Sequence, residues 1–204
     1  MSAVLADSEP CKNIFSYALM RDEKGEEMHK SKGNAIWFED AADVMGVDAM
    51  RWQFAGQNPS ANLNFGFSTA DEVRRQFMIP LWNVYSFFVT YANIYQFDPR
   101  NVSPDYNDRS ELDRWILSEL NTLVASVTND LEKFEPERVT RSVENFVEDL
   151  SNWYVRRSRR RFWKSGVLSG SMVDSDLDKL SAYFTLYEVL VQLSKLEAPI
   201  IPFV

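Results

Sequence analysis

From Thr69 to the end of the chain, apolar residues recur at intervals of three and four, a period that packed α-helices satisfy and strands do not. The cleanest stripe is Leu112, Trp115, Ile116, Leu120, Leu123, Val124, Val127, Leu131 and Phe134. Before it, Val73, Phe77, Leu81, Val84, Tyr85, Phe88 and Tyr95 form a looser stripe, with Pro80 a predicted kink. Pro136 suits the first turn of a third helix through Val139, Val143, Phe146, Val147 and Leu150. Ser175 with Asp178 reads as the cap of a fourth, carrying Leu177, Leu180, Phe184, Tyr187, Leu190 and Val191. Four amphipathic helices joined by short polar segments predict a mainly α fold, an antiparallel helical bundle.

The N-terminal third follows another pattern. Cys11 to Met20 holds strand-like residues (Ile14, Phe15, Tyr17), and a helix is predicted from Phe38 to Met45, stopped by Gly46. A second runs from Asp48 to about Ala55 with Met50, Trp52 and Phe54, and Gln57 to Phe67 reads as a connector. Between strand and helix lies the loop Met28-His29-Lys30-Ser31-Lys32-Gly33-Asn34. Ammonium groups and backbone N–H donors on such a loop can converge on a polyphosphate. On spacing alone the weightier reading is a solvated charged loop, since Arg21 to Lys32 is charged throughout.

Composition removes several chemistries. The 204 residues are 45% hydrophobic and 14% aromatic, enough for a packed core. The single cysteine, Cys11, forms neither an internal disulfide nor a cysteine cluster, and a reducing cytoplasm is the simplest compartment. With His29 the one histidine, no multi-histidine metal site is available, and no metal ligand set is predicted. No apolar run is long enough to span a bilayer. The net charge of −8 means that RNA binding would need a local basic patch.

Two motifs resemble a known family. Met28, Lys30, Ser31, Gly33 and Asn34 resemble the Lys-Met-Ser-Lys-Ser signature of class I aminoacyl-tRNA synthetases, often extended by one residue and Gly-Asn, with Glu27 and His29 replacing its first lysine and first serine. Asn152-Trp153-Tyr154 followed by Arg156-Arg157-Ser158-Arg159-Arg160-Arg161-Phe162-Trp163 is similar to the helical anticodon-binding domain of the isoleucyl branch. Asn62 to Gly66 and Ala198 to Phe203 extend the resemblance over the whole chain. It implies that residues 1–67 are the end of an α/β catalytic domain, a small strand-loop-helix remnant, and that residues 68–204 are an anticodon-binding bundle. It implies an ATP-binding loop at residues 28–34, with Lys30 and Ser31 catalytic and Lys32 partly substituting for the lost first lysine. ATP, Mg²⁺, isoleucine and tRNA(Ile) are the implied cofactors and partners, in a monomeric ligase. The family's His-Ile-Gly-His signature needs two histidines, so the chain alone is expected to be inactive. Both ends read as cut, which predicts a segment of a longer synthetase whose catalytic and editing domains lie elsewhere. The alternatives are a non-catalytic tRNA-binding module and a valyl- or leucyl-type fragment.

A helical projection divides the arginines. Arg157 and Arg161 continue the apolar stripe of Phe146, Leu150, Trp153 and Tyr154, which predicts pairing with carboxylates; Asp113, Glu119, Asp149 and Glu188 are candidates. Arg156, Arg159 and Arg160, with Trp163, project elsewhere and form the predicted tRNA contact, a solvated helix end being the even alternative. Phe162 and the two tryptophans, Trp153 and Trp163, fit core or rim packing better than base platforms.

Overall fold

The computed structural model describes residues 5–101, 103–163 and 174–204. Met1 to Val4 and Lys164 lie outside them. The N-terminal part is built on a minimal parallel pair, β1 (Met20–Arg21) beside β2 (Leu63–Asn64), in the register Met20↔Leu63. The strand predicted over Cys11 to Met20 shrinks to its last residue plus Arg21. A strand needs a ladder partner along its length, and β2 offers two residues. Ile14, Phe15 and Tyr17 are accordingly exposed.

Two helices come next, as predicted: α1 (Phe38–Met45) and α2 (Val47–Ala55), separated by Gly46 at φ 82°. Ala41, Met45, Met50, Leu63, Phe65 and Ala70 form a small core, with Met28 and Ile36 packed against it. Trp52 points instead into the large core. It stacks on Phe77 at 3.9 Å and donates from its indole Nε1 to Glu144 Oε1 at 2.7 Å. Thus α2 serves both cores.

The helical part begins with α3 (Phe67–Val73), a π turn (Arg74–Met78) and α4 (Ile79–Ile94) in unbroken succession. The π turn ends just before Pro80, which therefore stands at the start of α4 and interrupts no regular ladder there. Then come α5 (Glu111–Glu132), α6 (Pro136–Asp149), a second π turn (Leu150–Val155), α7 (Arg156–Trp163) and α8 (Asp174–Glu197). Ser110 caps α5 reciprocally with Asp113.

Three expectations change. Phe134 leaves the stripe: it lies past α5 at φ 59° and is exposed, because a left-handed residue there turns the chain toward Pro136. Ser175 lies inside α8 rather than ahead of it. Finally, α8 is not amphipathic, because every residue from Lys179 to Leu186 is buried. It packs against α4, α5 and α7 and so occupies the centre of the bundle. The closing segment returns to α2. Arg51 donates to the carbonyls of Pro199 and Ile200, and the Phe203 N–H donates to Asp48 Oδ2 at 3.1 Å.

Candidate functional site: the basic loop and the arginine-rich helix

Lys30–Lys32 forms one 3₁₀ turn, closed by Gly33 in the left-handed region at φ 71°. Asn34 pins the loop's two ends. Its Oδ1 accepts from the His29 N–H at 2.9 Å, and its Nδ2 donates to Asp22 Oδ2 at 2.8 Å and to the Glu27 carbonyl at 3.1 Å. Asp22 also accepts from the N–H groups of Lys24 and Glu26. The Asn34 hydrogen bond, with those two, holds the Asp22 carboxyl below its ordinary range. The neighbouring Glu23 accepts from the Ser68 hydroxyl and N–H at the start of α3, which lowers its pKa in turn. Side by side, two carboxylates thus fasten the loop and the first helix of the bundle.

Of the seven predicted loop residues, Lys30, Ser31 and Lys32 face solvent, as does His29, whose Nε2 lies 3.4 Å from Glu27. Met28 packs on the small core, and Asn34 uses both ends of its amide inside the loop. The N–H groups of His29, Lys32 and Gly33 are likewise satisfied internally, so the convergence of backbone donors expected from sequence is reduced. The Lys30 ammonium lies 4.4 Å from the centroid of the Trp37 ring. Neither Lys30 nor Lys32 enters an ion pair among the described residues. The cleft beside the loop, about 330 Å³, is lined by Asp22, Glu23 and Glu26 as well as Lys24 and Lys32. That acidic lining disfavours a polyphosphate and leaves the outer face of Lys30 and Ser31 as the anion-accessible side. Asp22, Glu23 and Trp37 were missed from sequence. The Asp22-x-x-Gly25 turn was a usable signal for the first.

At the helix end, the π turn Leu150–Val155 inserts extra backbone and rotates α7 relative to α6. The buried line becomes Leu150, Tyr154, Ser158 and Phe162, with Arg161 beside it. Arg161 pairs with Asp113 as expected: its two terminal nitrogens meet the two carboxylate oxygens, one at 2.8 Å, while Nε lies 2.8 Å from Asp178. Tyr154 donates to Asp113 at 2.7 Å, and Ser110 Oγ donates to it at 2.8 Å. Burial alone would raise the Asp113 pKa, but Arg161, Tyr154 and Ser110 outweigh it and hold the carboxyl below its usual range. Arg157 departs from the reading. It is exposed and lies 4.5 Å over the Trp153 ring, because the π turn carries it off the core line. Glu188 serves Arg109 rather than the cluster, at 2.8 Å. Arg156, Arg159 and Arg160 are exposed and enter no ion pair among the described residues. Trp163 is half-exposed beside Tyr91, while Phe162 is fully buried.

A strand-loop-helix unit with an outward lysine turn, joined to a helical bundle with a cationic helix end, has counterparts among known proteins. Residues 1–66 match the family of tRNA synthetases class I (I, L, M and V), and residues 113–204 match the anticodon-binding domain of tRNA ligase. The chain belongs to the class I aminoacyl-tRNA synthetases.

Its sequence corresponds, within that class, to a segment of the isoleucine–tRNA ligases. It is 50% identical to the isoleucine–tRNA ligase of Dehalococcoides mccartyi (strain CBDB1), over 99% of this chain and 19% of that protein. Against the Thermus thermophilus enzyme it is 43% identical over 100% of this chain and 19% of the relative. The chain spans about a fifth of the length of these relatives. Two solved structures share the fold. The Mycobacterium tuberculosis methionyl-tRNA synthetase in complex with methionyl-adenylate aligns at TM-score 0.76 and 15% identity, over 98% of this chain and 38% of that one. The Agrobacterium radiobacter K84 LeuRS, in a ternary complex with tRNA and LeuAMS, aligns at TM-score 0.66 and 17% identity, over 91% and 21%.

Proposed function

We propose that this chain supplies two parts of an isoleucine–tRNA ligase: the mobile cation of the amino-acid activation step and a tRNA-binding bundle. The observation that carries the reading is the exposed Lys30–Ser31 turn on a loop whose ends are pinned by Asn34. Activation joins the isoleucine carboxylate to the α-phosphate of ATP as pyrophosphate leaves, and negative charge grows on the phosphate oxygens. Lys30, free of any carboxylate partner among the described residues, swings from the Trp37 ring to those oxygens and stabilises the transition state more than the ground state. Ser31 adds a hydroxyl donor and Lys32 a second positive charge. Glu27 brings the opposite charge at the position of the missing lysine, and Arg21, 3.9 Å away, tempers that effect. Bound Mg²⁺ would offset phosphate charge. Mg²⁺ keeps several waters and is held largely by phosphate oxygens, so it would come with the nucleotide; no group of three or more His, Cys, Asp or Glu is found among the described residues.

Residues 1–67 act in this reading as the end of the catalytic domain, and residues 68–204 as the anticodon-binding domain. Arg156, Arg159, Arg160 and Trp163 meet the phosphates and an unpaired base of tRNA(Ile). A monomer in the cytoplasm is the matching setting, and no described helix is long and apolar enough to cross a membrane. The test is tRNA(Ile) binding by the 204-residue chain across a salt series. Arg156→Ala with Arg160→Ala should weaken binding and reduce the log–log salt slope by about 2, roughly one per lost phosphate contact. An unchanged slope removes these residues from the interface.

A further inference from the structure

The π turn Leu150–Val155 sets two large side chains, Trp153 and Arg157, outside the core that the helical projection would place on its apolar line. Trp153 is 51% exposed, although its neighbours Leu150, Tyr154 and Val155 are all buried. The Arg157 guanidinium lies over its ring, 4.5 Å from the centroid. Extra backbone of this kind interrupts the regular helix ladder and is frequent at functional sites. Among the described residues Arg157 enters no ion pair, and of the arginines on α7 only Arg161 does. Residues three and four apart on a helix are neighbours, so Trp153, Arg157 and Arg160 form one exposed line. That line concentrates positive charge on a chain whose net charge is −8.

An exposed aromatic ring with a guanidinium over its face suits an unpaired nucleobase, which needs a π surface and positive charge beside it. We propose that Trp153 and Arg157 form a nucleobase-stacking site, an unpaired base of the tRNA anticodon loop continuing the stack on Arg157 while Arg160 meets a flanking phosphate. The site rests on the reading of the bundle as tRNA-binding and adds a second base contact to it. Trp163, the tryptophan of that reading, lies further along the helix by roughly 15 Å, at about 1.5 Å per residue, too far for one base to touch both. Charge and shape together favour a nucleobase over an acidic peptide: a carboxylate would engage the guanidinium edge and leave the ring without a role.

The experiment measures binding of the anticodon stem-loop of tRNA(Ile) to the 204-residue chain across a salt series, each loop nucleotide being replaced in turn by an abasic ribose. Trp153→Ala should weaken binding about tenfold, the scale of one base–aromatic stack, and leave the salt slope unchanged. In that variant one abasic position that weakens binding to the unaltered chain should cost nothing further. Arg157→Lys, which keeps the charge and loses the planar face, should weaken binding severalfold at the same slope. Both positions are exposed, so neither change disturbs the core. A Trp153→Ala loss that adds to the abasic loss at every loop position overturns the proposal, as does unaltered affinity in both variants. If Arg156→Ala with Arg160→Ala still weakens binding in that last case, the tRNA-binding reading stands and the stacking site alone falls. If the unaltered chain does not bind the stem-loop, both fall. Polyglutamate binding weakened by Trp153→Ala as strongly as stem-loop binding would assign the pair to acidic peptides and also overturn it.

Discussion

Replacing Asp113 by alanine should be among the most damaging single changes outside the apolar core. The carboxylate is fully buried and receives both terminal nitrogens of Arg161, the Tyr154 hydroxyl and the Ser110 hydroxyl. Its loss leaves Arg161, itself largely buried, with Asp178 and a long 3.5 Å contact to Ser158 Oγ, and leaves the Tyr154 hydroxyl with a 3.4 Å contact to the Ala182 carbonyl and with Thr185. Breaking one side of a buried ion pair costs about 3–5 kcal/mol. Loss of the reciprocal cap on α5 adds about 1 kcal/mol, and Asp178 offsets part of the sum. The net destabilisation is about 4 kcal/mol, which for a chain of this size is a Tm decrease of roughly 8–16 °C. Urea denaturation followed by circular dichroism at fixed pH measures it. Because the pair costs desolvation energy as a whole, the triple change Asp113→Leu, Arg161→Met, Tyr154→Phe should recover most of the loss. A single-variant effect below about 1 kcal/mol would refute the view that this network anchors the arginine-rich helix.

Two further expectations come from the geometry. Glu197, whose folded pKa of about 8 lies above the ordinary carboxylate value, holds its proton better in the folded state. Its contribution to stability is therefore full below about pH 4 and is lost as pH rises toward 8. Urea midpoints should decline over that window in the unaltered chain, and the decline should lessen in Glu197→Gln; parallel profiles would contradict the assignment. Asn34→Ala removes the three hydrogen bonds that join the ends of the signature loop, so the amides of residues 29–33 should exchange faster while those of α5 do not change. Unaltered exchange would mean that Asn34 does not hold the loop.

The sequence pattern carried the helices well where a 3.6-residue period and a terminal signal coincide, as at Gly46 between α1 and α2 and Pro136 at the start of α6. It failed where tertiary surroundings decide. The central α8 buries polar and apolar residues alike, Lys179 lying 3.1 Å from the Tyr95 ring centroid, so no amphipathic stripe marks its true place. The π turn before Arg156 broke the projection: Arg161 kept its predicted partner, whereas Arg157 fell on Trp153. In the candidate site, residue types identified the loop but not the division of labour within it. An asparagine beside a lysine-rich turn reads as a ligand until its amide is found bonded on both sides, and Trp37 announces nothing until Lys30 is seen over its ring.

The most direct measurement of the central claim is isoleucine-dependent pyrophosphate exchange in a full-length synthetase carrying this segment, with Lys30→Ala compared with the unaltered enzyme. In Lys30→Ala, kcat should fall by roughly 10²–10³, the scale of losing one transition-state charge contact, with tRNA(Ile) affinity unchanged. Exchange at the unaltered rate would contradict it.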